Sequence, residues 1–290
     1  MWFFEGENRL LGILEAVIYG IIQGVAEFLP ISSSGHLALA HNFFGTNTEN
    51  ALAFDIMLHL ATLVSVCVVF RKDIAALFSG FFSLLRKLFT GRLRAEGLSA
   101  KERLFLYVCV ATLPLIPVKL LGLDDSVEAI SRMSWLIGVL LIINGLMLFM
   151  SDRVSRGGST PENGGWLRAL GVGIVQAVFG ILPGISRSGS TITGGRIFGY
   201  TREEAVRFSF LLSLPAILGA CVTKLPDLFS SGAGAELYAP MAVGSVTAAV
   251  VGFFAIKLLQ YLSANKGFTF FAVYCPLVGA AAVIADLIVC

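Results

Sequence analysis

Apolar residues run through most of the chain in long stretches, and polar residues collect in short segments between them. Five stretches are long enough to cross a membrane as helices, which takes roughly 20 residues, or about 17 at the short end. They are 104–122, 133–151, 205–223, 239–256 and 267–287. Residues 51–70 form a sixth, although they contain Asp55 and His59. The pattern therefore predicts six transmembrane helices.

Two further apolar regions, about 10–45 and 167–200, are each interrupted by a polar segment. The first polar segment (residues 23–36) is QGVAEFLPISSSGH, and the second polar segment (residues 176–190) is QAVFGILPGISRSGS. The second repeats five residues of the first without a gap: Gln23, Val25, Leu29, Pro30 and Ser33. One inserted residue, Arg187, then restores the match for the next serine and glycine. A broken helix and a hydroxyl-rich loop placed twice at apolar depth indicate a site there.

Each half of these two regions spans about 12–18 residues, which is too short to cross alone. We therefore predict two re-entrant helical hairpins. The predicted fold class is an all-α polytopic membrane protein, with six transmembrane helices plus two re-entrant helical hairpins in an inverted-topology repeat. Residues 1–290 form a single membrane domain, with repeat 1 at about 10–151 and repeat 2 at about 167–290. The alternative is a pair of proline-kinked spans that share no site.

The composition agrees with a membrane protein. Hydrophobic residues make up 56% of the 290 residues and charged residues 14%, whereas a soluble domain has about a quarter charged residues. The mean hydropathy is +0.84. The sequence contains no zinc-ligand spacing, phosphate-binding glycine loop or dinucleotide fingerprint. We expect membrane lipids as partners and no nucleic acid.

The distribution of basic residues predicts the orientation. Lys and Arg concentrate in segments that fall on one side if the hairpins re-enter and the six spans cross: 71–103, 152–168, 200–207 and 257–266. The other side has mainly Arg9, Lys119, Arg132 and Lys224, beside the acidic Asp124, Asp125, Glu128, Asp227 and Glu236. The positive-inside rule makes the basic side cytoplasmic and places both termini outside. The two hairpins then enter from opposite faces, and their loops meet near mid-membrane.

Glu27 lies at apolar depth, and Gln23 lies four residues earlier on the same helix face. An ionised carboxylate there costs roughly 2.5–3.5 kcal/mol on insertion scales, so it needs a partner, water or a metal ion. Glu27 could bind a divalent cation or act as a general base. The plainer alternative is a glutamate that extends to the outer interface.

Pro30 ends the first half-helix, because it lacks an amide donor and restricts the residue before it. Three serines, a glycine and His36 follow, and they are typical of the start of a returning half-helix, whose free N–H groups suit an anion. The serines alone could simply cap that helix. His36 beside them could be a nucleophile, an acid or a base.

The second polar segment supplies a cation. Arg187 lies between Ser186 and Ser188, and an arginine at this depth also needs a partner. Its planar fork can bind a phosphate through two nitrogens, or pair with Glu27, or do each in turn. One carboxylate, one histidine, one arginine and several hydroxyls indicate a phosphate site within the membrane. A substrate that reaches this depth is expected to be a lipid phosphate.

These residues resemble the signatures of the undecaprenyl-diphosphate phosphatase family, the bacitracin-resistance proteins of bacterial membranes. The signatures are (Glu/Gln)-xxx-Glu running into FLP-x-SSSGH, and PG-x-SRSGST, and the resemblance covers almost the whole chain. It implies an enzyme of the bacterial plasma (inner) membrane that hydrolyses undecaprenyl diphosphate to the monophosphate, which recycles the carrier lipid for cell-wall synthesis. It also implies a polyprenyl diphosphate substrate, a divalent cation (Mg²⁺ or Ca²⁺) and a catalytic site open to the outer face.

The resemblance also implies roles for individual residues. It makes Glu27, Ser33, His36 and Arg187 catalytic, with Glu27 as a metal ligand and Arg187 as the phosphate clamp. The nucleophile is left open between Ser33, His36 and water. Many members have a glutamate at Gln23, and the amide here is a weaker metal ligand. The expected substrate-binding residues are Gln23, Ser32, Ser34, His59, Ser186, Ser188 and Thr191. His59 lies in the next span, and we expect it to support the other site residues.

Two other functions compete with this one. Inverted repeats with helices broken at mid-depth also occur in transporters, so a lipid-phosphate flippase is the main alternative. The type 2 phosphatidic-acid phosphatases also use Ser-Gly-His and Ser-Arg elements. They need a Lys-x6-Arg-Pro segment and a later histidine, but the chain has no such segment and no histidine after His59. A homodimer is left open.

Overall fold

The computed structural model describes residues 12–44, 48–92, 97–122, 124–154, 157–230 and 237–289. Within these ranges the chain folds into thirteen α-helices, and the only extended pairing is an isolated bridge between Ser159 and Tyr200. The helices are α1 (Ile13–Phe28), α2 (Ser33–Phe44), α3 (Thr48–Val69), α4 (Arg71–Phe89), α5 (Ala100–Thr112), α6 (Leu115–Leu120), α7 (Asp124–Ser131), α8 (Ser134–Arg153), α9 (Trp166–Phe179), α10 (Arg187–Ile197), α11 (Arg202–Ser230), α12 (Tyr238–Asn265) and α13 (Thr269–Val289). The described part of the chain is therefore all-α, as the sequence predicts.

Five helical stretches within the described ranges are long and apolar enough to cross a membrane: Ala100–Leu120, Ser134–Arg153, Arg202–Lys224, Tyr238–Asn265 and Thr269–Ile288. They coincide with five of the spans predicted from sequence. The sixth predicted span, 51–70, corresponds to α3, which continues into α4 after a bend of 87°. The chain is a multi-pass membrane protein with five such stretches, or six if the bent pair is counted.

Helix α4 occupies much of a segment that the sequence indicates only as a basic connection. Its exposed side chains include Phe78, Phe82 and Phe89, and Lys and Arg occupy both of its ends. Apolar side chains beside Lys and Arg are typical of a helix that lies in the membrane interface. The bend occurs at Phe70, which is buried against Phe210 with ring centroids 5.1 Å apart. A tertiary contact therefore accompanies the change of direction.

Both polar segments form the predicted helix–loop–helix. Helices α1 and α9 have 16 and 14 residues, which makes them about 24 and 21 Å long, shorter than the roughly 30 Å hydrocarbon core. Helix α1 ends at Phe28 because Leu29 turns extended ahead of Pro30, with φ −68° and ψ 143°. We name α1–α2 the first hairpin and α9–α10 the second hairpin.

Each hairpin packs against the opposite half of the chain through small residues. Helix α1 lies on α12, where a Cβ on Gly20 would fall 2.6 Å from the carbonyl oxygen of Gly244. Helix α9 lies on α5, where Gly173 meets the backbone of Ala111. Such close approach of backbones is how helices associate in lipid. Helices α3 and α11 pack on the same two neighbours, α12 and α5 respectively, so the two hairpins have matching surroundings.

Several ion pairs join helices on the predicted cytoplasmic side. Arg202 pairs with Asp152 at 3.0 Å, and Lys87 pairs with the buried Glu102 at 3.0 Å. They fasten α11 to α8 and α4 to α5. Of the charges that predict the orientation, some lie outside the described residues: Arg9, Arg94, Arg156 and Glu236, and the side chains of Asp124, Asp125, Glu128 and Asp227.

Candidate active site

Glu27 is the centre of a buried polar cluster at the end of α1. One carboxylate oxygen, Oε2, accepts hydrogen bonds from Ser33 Oγ at 2.7 Å and from Gln23 Nε2 at 3.1 Å. The other, Oε1, accepts from Arg187 Nη2 at 2.6 Å. Gln23 reaches the carboxylate because residues four apart share one face of a helix. The structure therefore brings together the predicted carboxylate, arginine and serine.

Arg187 is the first residue of α10, and only part of its donor fork is engaged with Glu27. Its Nη1 is buried and has no hydrogen-bond partner among the described residues. Ser186 caps the helix by accepting from the N–H of Gly189 at 3.1 Å. The buried Nη1 is an unused donor, and the start of α10 carries a partial positive charge, and both suit an anion such as phosphate.

The loops of the two hairpins contact each other, as the sequence predicts. Ser32 Oγ accepts hydrogen bonds from the N–H of Gly35 and the N–H of Gly184, both at 3.2 Å. A Cβ on Gly35 would lie 2.8 Å from the Cα of Gly184, so the contact depends on the absence of a side chain. Ser32 itself has φ +75°, a left-handed conformation that non-glycine residues seldom adopt. The backbone is thus strained where the loops meet.

The remaining predicted hydroxyls divide into two groups. Ser34 is exposed, with its Oγ 3.4 Å from Ser32 Oγ. Ser186 and Ser188 are buried with their hydroxyls 2.9 Å apart, and Thr191 lies 2.6 Å from Ser209 on α11. The buried hydroxyls satisfy one another and the backbone, so they hold the shape of the second hairpin.

The two predicted histidines occupy different places. His59 Nε2 lies 3.6 Å from Glu27 Oε2, within ion-pair distance, and its Nδ1 donates to the Asp55 carbonyl at 2.7 Å. His36 Nδ1 donates to the Ser32 carbonyl at 2.8 Å, and its Nε2 accepts from the Tyr274 hydroxyl at 3.0 Å. Both ring nitrogens of His36 therefore have partners other than Glu27.

Sequence analysis misses two side chains of this cluster. Tyr274 of α13 stacks on His36, with centroids 5.8 Å apart and an interplanar angle of 8°. Asn144 of α8 is fully buried and bonds to both loops. For Asn144 the available signal is a lone amide within an apolar stretch, but its partners depend on the packing.

The residues present fit a divalent cation only in part. Within the ranges that the structure describes, no three His, Cys, Asp or Glu side chains lie together as a metal site. Among the described residues, the nearby oxygen donors include Glu27, which is already bonded, and Gln23 Oε1, which is buried and has no hydrogen-bond partner there. Mg²⁺ commonly takes one or two carboxylates and completes its shell with water and substrate phosphates. These residues therefore suit a cation that arrives with a phosphate.

The fold and the site define a multi-pass membrane protein with a buried polar cluster, centred on Glu27 and Arg187, between two helical hairpins. The family model described as "Bacitracin resistance protein BacA" matches residues 16–281 of the chain. The chain belongs to this family.

Relatives match over nearly their whole length. A protein of Rubrobacter xylanophilus is 40% identical over 268 residues, which is 91% of this chain and 95% of the relative. One of Methanosphaera stadtmanae is 37% identical over 283 residues, 96% of this chain and 100% of the relative. One of Desulfosudis oleivorans is 40% identical over 272 residues, 92% and 96% respectively. All three relatives are named undecaprenyl-diphosphatase.

Proposed function

We propose that this chain is an integral-membrane phosphatase that hydrolyses undecaprenyl diphosphate to undecaprenyl phosphate and inorganic phosphate. The observation that carries the proposal is the buried cluster in which Glu27 accepts from Ser33 at 2.7 Å and from Arg187 at 2.6 Å. The cluster combines the positive charge of Arg187, which can bind an anion, with the Ser33 hydroxyl, which donates to the Glu27 carboxylate. Phosphoryl transfer needs mainly such positioning and charge neutralisation.

The diphosphate binds to Arg187 and to the start of α10. The unpartnered Nη1 donates to a phosphate oxygen, and the free N–H groups of the helix N-terminus add a partial positive charge. Ser34, which is exposed beside Ser32, donates a further hydrogen bond. With a phosphate on Nη1, Arg187 shares its positive charge between the phosphate and Glu27, so Glu27 becomes a stronger base.

The attacking group is the Ser33 oxygen. Its proton passes to Glu27 while the oxygen bonds to the terminal phosphorus, and the bridging P–O bond breaks to release undecaprenyl phosphate. Water then attacks the phosphoserine, inorganic phosphate leaves, and the Ser33 oxygen regains its proton from Glu27. His36 joins only when the Tyr274 hydroxyl turns away from Nε2, because both its nitrogens are otherwise engaged. His59 of α3, whose Nε2 lies 3.6 Å from Glu27 Oε2, stabilises the carboxylate.

A divalent cation, Mg²⁺ or Ca²⁺, is part of the proposal. Glu27 and the free Gln23 Oε1 are the atoms that would hold it, together with phosphate oxygens. When bound, it neutralises charge on the diphosphate. Chelation is expected to lower the rate, and added Mg²⁺ or Ca²⁺ to restore it.

The proposed placement in the membrane follows from the charges and the repeat. The two hairpins enter from opposite faces of the plasma membrane, and the basic segments lie in the cytoplasm. The catalytic site opens to the outer face, where the carrier lipid is released after use in cell-wall synthesis, and the isoprenoid tail lies among the apolar spans. Matching packing of α1 on α12 and of α9 on α5 supports the inverted repeat.

The test is phosphate release from undecaprenyl or farnesyl diphosphate by the purified protein in detergent. The wild type is expected to release phosphate without a gradient, and Glu27→Gln and Arg187→Ala are each expected to lose roughly 10³-fold or more in turnover. Glu203→Gln, an exposed glutamate on α11, is the matched control and should keep the wild-type rate. Near-normal hydrolysis by a folded Arg187→Ala protein would refute the clamp. A silent wild type that moves the lipid across sealed vesicles would favour the flippase.

A further inference from the structure

We infer that Asn144 is a positioning residue for this reaction, whose side-chain amide holds the two hairpin loops at the separation that Arg187 needs. The inference rests on the proposed function. Asn144 lies in the middle of α8, and none of its surface is exposed (0%). It belongs to neither hairpin, yet it bonds to both.

The amide uses its donors and its acceptor on different partners. Nδ2 donates to the carbonyl oxygen of Pro30 at 2.9 Å and approaches Cys275 Sγ at 3.3 Å. Oδ1 accepts from the backbone N–H of Ser186 at 3.0 Å. One side chain therefore links the first loop, the second loop and α13.

The two backbone groups that Asn144 binds are the ones that a broken helix leaves without partners. Pro30 follows the end of α1, so its carbonyl has no acceptor role in a helical ladder. Ser186 is the N-cap of α10, so its N–H lacks a helical acceptor. Buried away from water, the Ser186 N–H would remain unsatisfied at a large cost, and the Pro30 carbonyl would keep only the weak thiol donor of Cys275 at 3.9 Å. An amide matches one carbonyl and one N–H at once and adds no charge.

The position of Asn144 couples it to both charged groups. Ser186 directly precedes Arg187, and Pro30 lies three residues from Glu27 and three from Ser33. A Cβ on Gly189 would lie 3.0 Å from Asn144 Oδ1, so α10 starts in direct contact with the amide. The bonds to Pro30 and Ser186 thus fix where the side chains of Glu27 and Arg187 originate. A misplacement of about 1 Å at such a site costs about 10²-fold in rate.

The first test is Asn144→Leu, which removes both bonds at similar volume. We expect kcat to fall about 10²-fold in a protein that remains folded, while KM changes little. Ser151→Ala is the matched control, because Ser151 is equally buried on α8, and within the described residues its hydroxyl donates only to Leu148 of its own helix. It should keep the wild-type rate. In an Arg187→Ala background the leucine substitution should cause a smaller further loss, since one of the two positioned groups is already missing and only the bond to Pro30 still positions Glu27.

The second test is Asn144→Asp, which also decides the matter if the leucine variant does not fold. A carboxyl reproduces the donor and the acceptor only when it is protonated, so its rate relative to the wild type should rise as the pH falls. A space-filling role predicts no such pH profile.

Two outcomes would overturn the inference: a folded leucine variant with wild-type kcat, or an aspartate variant whose relative rate does not fall when the pH is raised far enough to ionise the new carboxyl. If the wild type itself releases no phosphate, the proposed function fails instead, so the two failures are distinguishable.

Discussion

At the scale of single residues, Glu27 determines the electrostatics of the site. Its buried carboxylate accepts from Ser33, Gln23 and Arg187, so its charge is balanced and hydrogen-bonded. Removing one partner of such a buried pair typically costs about 3–5 kcal/mol, because the other charge stays uncompensated. Arg187 also keeps a buried Nη1 that has no hydrogen-bond partner in the described part of the chain. The pair therefore stabilises the contact between the hairpins, and under the proposed function it also binds and activates the substrate.

Arg187→Lys tests whether the site needs only the positive charge of Arg187 or also the planar donor geometry of its guanidinium. The ammonium keeps the positive charge near Glu27 but cannot bind a carboxylate and a phosphate through separate planar donors. We expect a thermal unfolding midpoint close to that of the wild type and a kcat/KM about 10- to 100-fold lower, the loss of one charge-assisted hydrogen bond. Arg86→Lys, an exposed arginine on α4, is the control for the same substitution. An unchanged kcat/KM in Arg187→Lys would mean that only the charge matters.

The sequence predicts which residues belong to the cluster around Glu27 better than it predicts where their side chains point. Glu27 and Arg187 stand out because charges at apolar depth must have partners, and the repeated polar segments indicate that the loops meet. The direction of His36 was not predictable, because it depends on how α2 is rotated against α13, where Tyr274 takes its Nε2. The partners of Asn144 depend in the same way on how α8 packs against both loops.

At the scale of elements, the site depends on the close contact between the two hairpin loops. In Gly35→Ala the new Cβ would lie 2.8 Å from the Cα and 2.9 Å from the N of Gly184, both backbone atoms that cannot easily move. We expect the loops to separate and kcat to fall about 10²-fold. The measurement is phosphate release together with thermal unfolding in detergent.

The control for this substitution is Gly219→Ala on α11, where a Cβ would meet no atom of the described residues within 4 Å. Alanine has a higher helix propensity than glycine by about 1 kcal/mol, so this variant should keep its rate and lose no stability. If Gly35→Ala hydrolysed substrate as fast as Gly219→Ala, the close contact of the loops would not matter for catalysis.

The elements themselves were predictable to different degrees. The long apolar helices and the two broken ones follow from run length and from Pro30 and Pro183. The bend between α3 and α4 has no local proline or glycine to predict it. It lies at Phe70, which packs on Phe210 of α11, a residue distant in sequence. Only the tertiary structure places α4 at 87° to α3.

At the scale of the whole molecule, the site exists only when both halves pack together. The first half supplies Glu27, Ser33 and Asn144, and the second supplies Arg187 and Tyr274. The main buried core likewise joins residues of both halves, such as Phe28 with Phe210. Contacts that hold the halves together on the predicted cytoplasmic side should therefore contribute to stability without taking part in catalysis.

Arg207 of α11 forms the clearest of these contacts. It pairs with Asp73 of α4 at 2.6 Å, with Glu162 of the connection before α9 at 2.8 Å and with Glu204 at 3.0 Å. Burial acts to raise the pKa of Glu162, but the hydrogen bond and charge of Arg207 outweigh it and leave that pKa below the ordinary 4.5. Folding therefore favours the ionised carboxylate.

The sign of the pH dependence follows from this lowered pKa. The contribution of Glu162 is fully present above about pH 4.5, the ordinary value, and is lost as the pH falls through the lower folded value. Glu162→Gln should lower the unfolding midpoint in detergent at pH 7 and reduce the further drop between pH 5 and lower pH, because one titrating group is gone. Glu203→Gln, an exposed glutamate, should follow the wild-type curve. A Glu162→Gln midpoint equal to that of the wild type at pH 7 would show that Arg207 contributes to stability through Asp73 and Glu204 alone, of which only Asp73 lies in the first half.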